Sequence, residues 1–185
     1  MIEPKYMTFD ALEAGLNDIR SSPKDEGRLE MIVRRPQVGE REMLEEAQLD
    51  LVEGLVGDNW IARPSTRTID GMPHPDMQIT IMNTRLTSLL AEEKNRWQFA
   101  GDQLFIDLDL SVSNLHPGMR LALGEAVIEI TDQPHNGCVK FSGHFGPEAL
   151  KFISSPIGKE LRLRGIYAKV VQPGLIRVGD LVRKI

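Results

Sequence analysis

Residues 117–130 read PGMRLALGEAVIEI, and this stretch indicates the fold class. Apolar and polar residues alternate on both sides of Gly124-Glu125, which is the pattern of two antiparallel strands joined by a tight turn. Residues 173–185, PGLIRVGDLVRKI, repeat the order of turn, strand, turn and strand. Short strands with glycine-rich turns favour a barrel or sandwich over a doubly wound sheet. We therefore expect a mainly β (α+β) fold, a distorted β-barrel with a few peripheral helices.

Helical patterns flank these strands. Thr8 precedes apolar residues at helical spacing, which predicts an N-terminal helix over about residues 8–20. TRLTSLLAEEKNRW (84–97) and FGPEALKFI (145–153) predict two further helices. Residues 63–75 contain three prolines and a glycine and are expected to form a long surface loop. No domain boundary is evident in the sequence, so we expect a single domain over residues 1–185.

The composition excludes several classes of protein. A net charge of −5 over 185 residues argues against nucleic acid or an anionic membrane as the main partner. No apolar run is long enough to span a bilayer, and the first residues lack the pattern of a secretory signal. A single cysteine forms no intramolecular disulfide and suits a reducing compartment, so the expected location is cytoplasmic.

The charge is unevenly distributed along the chain. Residues 1–137 hold 13 Lys and Arg against 24 Asp and Glu, whereas residues 138–185 hold 9 against 3. The basic C-terminal quarter indicates a local anion site that suits a phosphate-bearing ligand. Chance placement of solvated charges is the alternative.

Cys138, the one cysteine, lies in QPHNGCVKFSGH (133–144). His135, Lys140 and His144 can supply positive charge, which would favour the thiolate. A thiolate could bind a soft metal, attack an electrophile or carry a persulfide. The alternative is a buried apolar filler, the usual role of a lone cysteine. A zinc site from His135, Cys138 and His144 lacks a fourth ligand and a familiar spacing, and nothing marks an oxyanion hole for a Cys–His hydrolase.

A series of short motifs resembles the MOSC domain, named for the C-terminal region of molybdenum cofactor sulfurase. The motifs are GLVGDNW, AGDQLFIDLDLS, LHPGMRLALGEAVIEIT, PHNGCVKF, LRLRGIYAKVVQPG and IRVGDLV, and they cover roughly residues 30–183. The resemblance implies a barrel-like fold, and a role in binding a molybdopterin cofactor or in handling sulfur destined for it. It implies that Cys138 is either the molybdenum ligand or the atom that carries a persulfide.

The cofactor phosphate would need positively charged partners. Lys140, Arg162 and Arg164 are candidates, and the spacing of the two arginines would place them on one face of a strand. Asn83 and Arg85 are further candidates at a strand-to-helix junction. His135, beside the cysteine, completes the expected cofactor-binding residues.

Two functions follow from the resemblance. In the first, a molybdenum cofactor held by Cys138 reduces N-oxygenated small molecules, with a reductase as partner. In the second, a non-redox sulfur carrier or cofactor chaperone uses a Cys138 persulfide loaded by a cysteine desulfurase or sulfurase. A family-fold protein with an inert cysteine is the third possibility. Pyridoxal phosphate is not expected, since the chain has no room for a sulfurase domain. The reductase role lacks one family feature, because DGMPHPDMQ (70–78) carries His74 alone instead of a His-rich, Gly-rich loop.

Overall fold

A closed seven-stranded β-barrel forms the centre of the protein, in a computed structural model that describes residues 6–185. Numbered in chain order, the strands are β1 (Glu26–Arg34), β2 (Glu42–Leu44), β3 (Glu46–Asp50), β4 (Gly54–Leu55), β5 (Ile79–Asn83), β6 (Leu104–Asp107), β7 (Arg120–Leu123), β8 (Ala126–Ile130), β9 (Ile166–Gln172), β10 (Gly174–Arg177) and β11 (Leu181–Lys184). The barrel order is β1, β6, β5, β9, β8, β7 and β11, which pairs again with β1. The expected mainly β fold, a distorted barrel with a few helices, is confirmed.

The long strand β1 closes the barrel. Its first residues pair with β11, with Arg28 opposite Leu181, and its last residues pair with β2 on the same side. All barrel neighbours are antiparallel except β5 and β6, which are parallel. Strands β10, β3 and β4 form a separate three-stranded sheet. Alternate residues of the barrel strands, such as Ile128 and Ile130 of β8, are buried in the central core.

The helices cover one outer side of the barrel. They are α1 (Phe9–Ala14), α2 (Leu16–Arg20), α3 (Thr84–Leu90), α4 (Val139–Phe145), α5 (Pro147–Ser154) and α6 (Pro156–Glu160), with 3-10 turns at Asn59–Ala62, Pro75–Met77 and Lys94–Ala100. A second apolar core, which includes Phe105, Phe141 and Phe152, fills the space between them and the strands. Among residues 6–185, no helix combines the length and the apolar composition that a membrane span requires.

Three local expectations differ from the structure. The helix predicted over residues 84–97 ends at Leu90, and Lys94–Ala100 form a separate 3-10 turn. The N-terminal helical segment consists of two short helices separated by Gly15, where an added Cβ would lie 2.5 Å from the Leu89 side chain. Residues 173–185 do not form a hairpin like the one at 117–130. Strand β10 joins the small sheet, whereas β11 pairs with β7 and β1 in the barrel.

Candidate functional site

The segment 131–138, which links β8 to α4 and has no regular structure, lines two clefts at one edge of the barrel. The cleft that contains Cys138, here called the thiol lobe, has a volume of about 280 Å³. Its wall comes from the loop after β1, the 3-10 turn at Lys94–Ala100, the segment 131–138, α4 and the start of β9. The side chains that matter most below are Arg35, Arg41, Asn59, Arg63, His135, Cys138, Lys140, Arg164 and Tyr167.

Cys138 is exposed at this wall. It lies immediately before α4, and its carbonyl oxygen accepts a hydrogen bond of 3.1 Å from the Ser142 amide. The backbone is therefore fixed while the thiol faces the open cleft. This exposure contradicts the alternative of a buried apolar filler.

The thiol lobe is strongly cationic. Five Lys and Arg side chains line it, at positions 35, 41, 63, 140 and 164, and no carboxylate belongs to its wall. Arg41, Arg63 and Lys140 have no carboxylate partner within 4.0 Å in the part of the chain that the structure describes. Burial and the nearby Arg35 charge lower the pKa of Arg41. Because Arg35 and Arg164 are paired with buried carboxylates, the uncompensated positive charge around the thiol comes from these three side chains.

Arg35 is held in place by Asp58. The guanidinium donates to both carboxylate oxygens, at 2.9 and 2.7 Å, and also to the Gly101 carbonyl at 3.0 Å. Asp58 itself is fully buried as a side chain and accepts from the Gln103 amide and the Trp60 backbone. Since every partner is fixed, Arg35 presents its charge to the cleft in one orientation.

Arg164 and Asp102 form a second buried pair. The Arg164 guanidinium donates to Asp102 Oδ2 at 2.7 Å and to the Ala100 carbonyl at 3.1 Å. Burial raises the pKa of Asp102, although Arg164 acts in the opposite direction. His135 packs beside this pair, with its ring centroid 4.4 Å from that of Tyr167. Burial and the positive charges of Arg164 and Arg35 lower the pKa of His135 well below 6.5, so its ring is neutral and does not supply the positive charge expected from it.

Unsatisfied polar atoms are concentrated at this site. In the described part of the chain, six buried side-chain nitrogen or oxygen atoms lack a hydrogen-bond partner within the protein. Five of them belong to the thiol lobe or the carboxylate behind it, namely atoms of Arg41, Asn59, Asp102, His135 and Arg164. Buried polar atoms are normally paired, so this concentration marks a place where a bound molecule or water supplies the partners.

The structure brings together four of the predicted site residues and separates three. Cys138, His135, Lys140 and Arg164 line the thiol lobe. Arg162 lies in the wall of a neighbouring cleft that Arg164 also borders, and its guanidinium donates to the carbonyls of Leu110 and Leu115. Residues 161–165 form turns, so the expected strand with both arginines on one face is wrong. The positive φ angles of Arg162 (49°) and Gly165 (96°) are incompatible with an extended strand.

Asn83 and Arg85 lie outside the thiol lobe and already have partners. The Asn83 side chain caps α3 and donates to the Leu108 carbonyl and the Ser22 hydroxyl. Arg85 pairs with Asp107 at 2.7 Å and also contacts Asp18. These contacts stabilise the junction of β5 and α3.

Sequence reasoning did not find Arg35, Arg41, Arg63 or Tyr167 as wall residues. The three arginines belong to the acidic first part of the chain, where no local pattern distinguishes them from solvated charges. Asp58 and Asp102 each directly follow a glycine, a context that is typical of turn or cap residues. Asp58 does cap a 3-10 turn, and both carboxylates also orient an arginine of the cleft.

A zinc site formed by His135, Cys138 and His144 is the metal site that the sequence analysis considered. Within residues 6–185, no group of three or more His, Cys, Asp and Glu side chains is placed to hold a metal ion. His135 and His144 both line the thiol lobe with Cys138, and the pKa of each is lowered, chiefly by burial.

Comparisons with solved structures identify similar folds. The YuaD protein from Bacillus subtilis is 13% identical, with a TM-score of 0.64 over 85% of this chain and 94% of that one. YiiM from Escherichia coli is 21% identical, with a TM-score of 0.53 over 85% of this chain and 69% of that one. YiiM from Geobacillus stearothermophilus is 15% identical, with a TM-score of 0.52 over 89% and 74%. At these identities the likeness shows the fold alone.

Sequence comparison gives the family. No curated protein sequence matches the chain. The family model of the MOSC domain matches residues 74–183, which include the segment 131–138, Cys138 and the Asp102–Arg164 pair. Since that match spans more than half of the sequence, the chain belongs to the MOSC domain family.

Proposed function

We propose that the thiol lobe binds a molybdopterin-type cofactor, with Cys138 as the protein ligand of the molybdenum. One observation carries this proposal. The only thiol of the chain is exposed in a cleft with five cationic side chains, no wall carboxylate and a concentration of unpartnered buried polar atoms. Ligands related to the molybdenum cofactor are associated with MOSC domains in general.

The chemistry of the wall fits such a group. A thiolate is a soft ligand and suits a soft metal better than carboxylate oxygens would. Arg41 and Lys140, which lack carboxylate partners within the described residues, provide charge for a phosphate. The imidazole of His135 and the side-chain amide of Asn59 also belong to this wall, and they combine the donors and acceptors that a pterin ring requires.

The buried carboxylates have a positioning role. Asp58 and Asp102 fix Arg35 and Arg164 before any ligand arrives, so little side-chain freedom is lost on binding. Neutral His135 can offer one ring nitrogen as an acceptor and the other as a donor without adding charge. We assign Arg41 and Lys140 to electrostatic attraction, and Arg35, His135 and Arg164 to orientation of the bound molecule.

Reduction of N-oxygenated small molecules is the activity that we propose for the loaded protein. The cofactor would supply two-electron redox chemistry, and the chain would contribute binding, orientation and exclusion of water. The wall beside Cys138 also includes the exposed ring of Phe99, which offers apolar contact to a small organic substrate.

A sulfur-carrier function is the second candidate, and the exposure of Cys138 favours it. A partner enzyme could reach the thiol without any opening of the barrel. In that case the cationic wall would stabilise a persulfide anion, and a bound metal would not be required.

Molybdenum per chain, measured by elemental mass spectrometry, tests the proposal. The wild type, Cys138→Ser and Arg20→Ala would be produced in cells that make the cofactor; Arg20 is an exposed arginine of α2 outside the cleft. We expect stoichiometric metal in the wild type and in Arg20→Ala, and loss of metal in Cys138→Ser. Equal metal in the wild type and Cys138→Ser would refute the ligand role. Persulfide on Cys138 of a metal-free wild type would instead support the carrier.

Electrostatic attraction by Arg41 and Lys140 has its own test. Single alanine variants should weaken cofactor retention, each by about tenfold, because each removes one charged hydrogen bond. Arg20→Ala serves as the matched control for loss of a surface cation. Unchanged cofactor retention in both variants would show that Arg41 and Lys140 do not contribute to cofactor binding.

A further inference from the structure

A second cleft, here called the arginine lobe, adjoins the thiol lobe. Its volume is about 230 Å³, and it lies between the loop 63–75 and the barrel. Arg35, Arg63, Thr80 and Tyr167 belong to the walls of both lobes. A molecule bound in the arginine lobe therefore lies next to one bound beside Cys138.

The arginine lobe is cationic and, like the thiol lobe, has no carboxylate in its wall. Arg35, Arg63 and Arg67 line it. Neither Arg63 nor Arg67 has a carboxylate partner within 4.0 Å in the described part of the chain. Asp58 already balances the charge of Arg35, so the uncompensated charge of this cavity belongs to Arg63 and Arg67, and an anion bound between them would balance it.

Hydrogen bonds to the segment 131–138 hold the Arg67 side chain in place. Its guanidinium donates to the Pro134 carbonyl at 3.2 Å and to the Gln133 side chain at 3.4 Å. These contacts join the loop 63–75 to the segment 131–138 that carries Cys138. Each of these two hydrogen bonds uses one N–H group of the Arg67 guanidinium. The other N–H groups are available to a ligand.

Neutral donors complete the wall. Ser65 Oγ accepts a hydrogen bond from the Arg67 amide, so its own hydroxyl proton remains free to donate. His74 Nδ1 accepts from the Asp76 amide at 3.2 Å, which leaves Nε2 as the donor nitrogen. Trp60 adds an aromatic surface. Guanidinium, hydroxyl and imidazole donors around an acid-free cavity are the groups that bind phosphate and carboxylate.

We propose that the arginine lobe is an oxyanion subsite. It binds the phosphate or carboxylate group of a small molecule whose remaining part extends towards Cys138. Because phosphate is also part of a molybdopterin, the oxyanion belongs either to the substrate or to the cofactor itself. The existence of the subsite does not depend on the proposed function. The assignment of its oxyanion to the substrate or to the cofactor does depend on the proposed function.

The two tryptophans of the chain provide a local readout. Trp60 lines the arginine lobe, whereas Trp97 is buried in the helical core. In metal-free protein we would titrate inorganic phosphate at constant ionic strength and follow the two indole N–H signals by ¹⁵N-edited NMR. We expect a saturable shift of the Trp60 signal and a stationary Trp97 signal. A Trp60 signal that does not respond to phosphate would overturn the proposal.

Arg63→Ala is the decisive variant, because the Arg63 side chain makes no hydrogen bond with the described protein. It should weaken phosphate binding by about tenfold. Arg67→Ala should do the same, with an unmoved Trp97 signal showing that the fold is intact. Arg20→Ala, which removes an exposed cation outside both lobes, should bind phosphate as the wild type does. Wild-type affinity in both Arg63→Ala and Arg67→Ala would refute the subsite.

The source of the oxyanion is settled by molybdenum content in the same variants. If Arg63→Ala and Arg67→Ala keep the metal while phosphate binding falls, the subsite serves the substrate. If metal falls together with phosphate binding in Arg67→Ala, whose side chain lies outside the thiol lobe, the subsite holds the cofactor phosphate in place of Arg41 and Lys140. Both results support the subsite. Failure of the proposed function would appear separately, as a metal content that does not depend on Cys138.

Discussion

Nδ1 of His135 lies 3.7 Å from Oδ1 of Asp102, and neither atom has a hydrogen-bond partner in the described protein. The other oxygen of the same carboxylate is bound by Arg164 at 2.7 Å. Asp102 therefore divides its two oxygens between a fixed arginine and a neutral imidazole. A small movement of the ring would close a hydrogen bond, so this pair can adapt to a ligand without disturbing Arg164.

Acidification should destabilise the protein through His135. Burial, followed by the charges of Arg164 and Arg35, lowers the pKa of this ring well below 6.5. Below pH 6.5 the unfolded chain takes up a proton that the folded protein does not, so the unfolded state gains stability. We expect the free energy of unfolding in urea to fall by up to about 1.4 kcal/mol per pH unit between pH 6.5 and about 5.

His135→Gln is the control for that prediction. The pKa of His144 is also lowered, so it contributes in the same direction, whereas the raised pKa of Asp102 contributes in the opposite one. The difference between wild type and His135→Gln at each pH isolates the ring of His135. A difference that stays constant across this pH range would contradict the assignment.

Asp58→Ala should be strongly destabilising. The substitution leaves the Arg35 guanidinium buried without its carboxylate and also removes the acceptor for Gln103 and for the Trp60 amide. Removing one partner of a buried pair costs about 3–5 kcal/mol. Urea denaturation gives the value, with Asp132→Ala as the exposed control. A cost below about 1 kcal/mol would show that Arg35 finds another partner.

Cys138 should react readily in the folded protein. Its thiol is exposed, so iodoacetamide should modify it at a rate comparable with that in urea. Cys138→Ser should change the free energy of unfolding by less than about 0.5 kcal/mol, as other surface substitutions do. Mass spectrometry follows the alkylation. Strong protection in the native state would contradict the exposure of the thiol.

Two glycines, one in strand β1 and one in helix α4, test how closely the chain is packed at each position. A Cβ at Gly27 would lie 1.9 Å from the Asp107 carbonyl, so Gly27→Ala must displace β1 from β6 and should cost about 3 kcal/mol. A Cβ at Gly143 in α4 meets no atom within 4 Å, so Gly143→Ala should stabilise the protein by about 0.5–1 kcal/mol. Thermal and urea unfolding give the stability of both variants. Equal changes in the free energy of unfolding would contradict the close packing at Gly27.

The fold could be predicted because its signal is local. Alternation within β7 and β8 and the turn at Gly124 identify a hairpin from adjacent residues, and the structure pairs Leu123 with Ala126 as that turn requires. The C-terminal stretch has the same pattern, yet the sheet that each of its strands joins depends on distant partners. Local alternation does not contain that information.

The site could be predicted only in part, for the same reason. Cys138, His135 and Lys140 are near one another in sequence, so one short segment revealed them. Arg35 and Arg41 reach the cleft because β1 ends beside it, and their positions in the sequence give no sign of this. The sequence spacing predicted that Arg162 and Arg164 lie on one face of a strand. Arg162 instead faces another cleft, because the chain turns at 161–165.

The pairing of β1 with β11 has a consequence for how the protein forms. Glu26 and Arg183 meet across this seam although they are 157 positions apart in the chain. Contacts of such long separation form slowly, because a large loop must close before they contribute any stability. On the ribosome, Arg35 and Cys138 emerge well before β11, and the barrel that holds them in register cannot close until β11 is present. Assembly of the cleft is therefore a late event, and a ligand would be captured after synthesis of the barrel strands is complete.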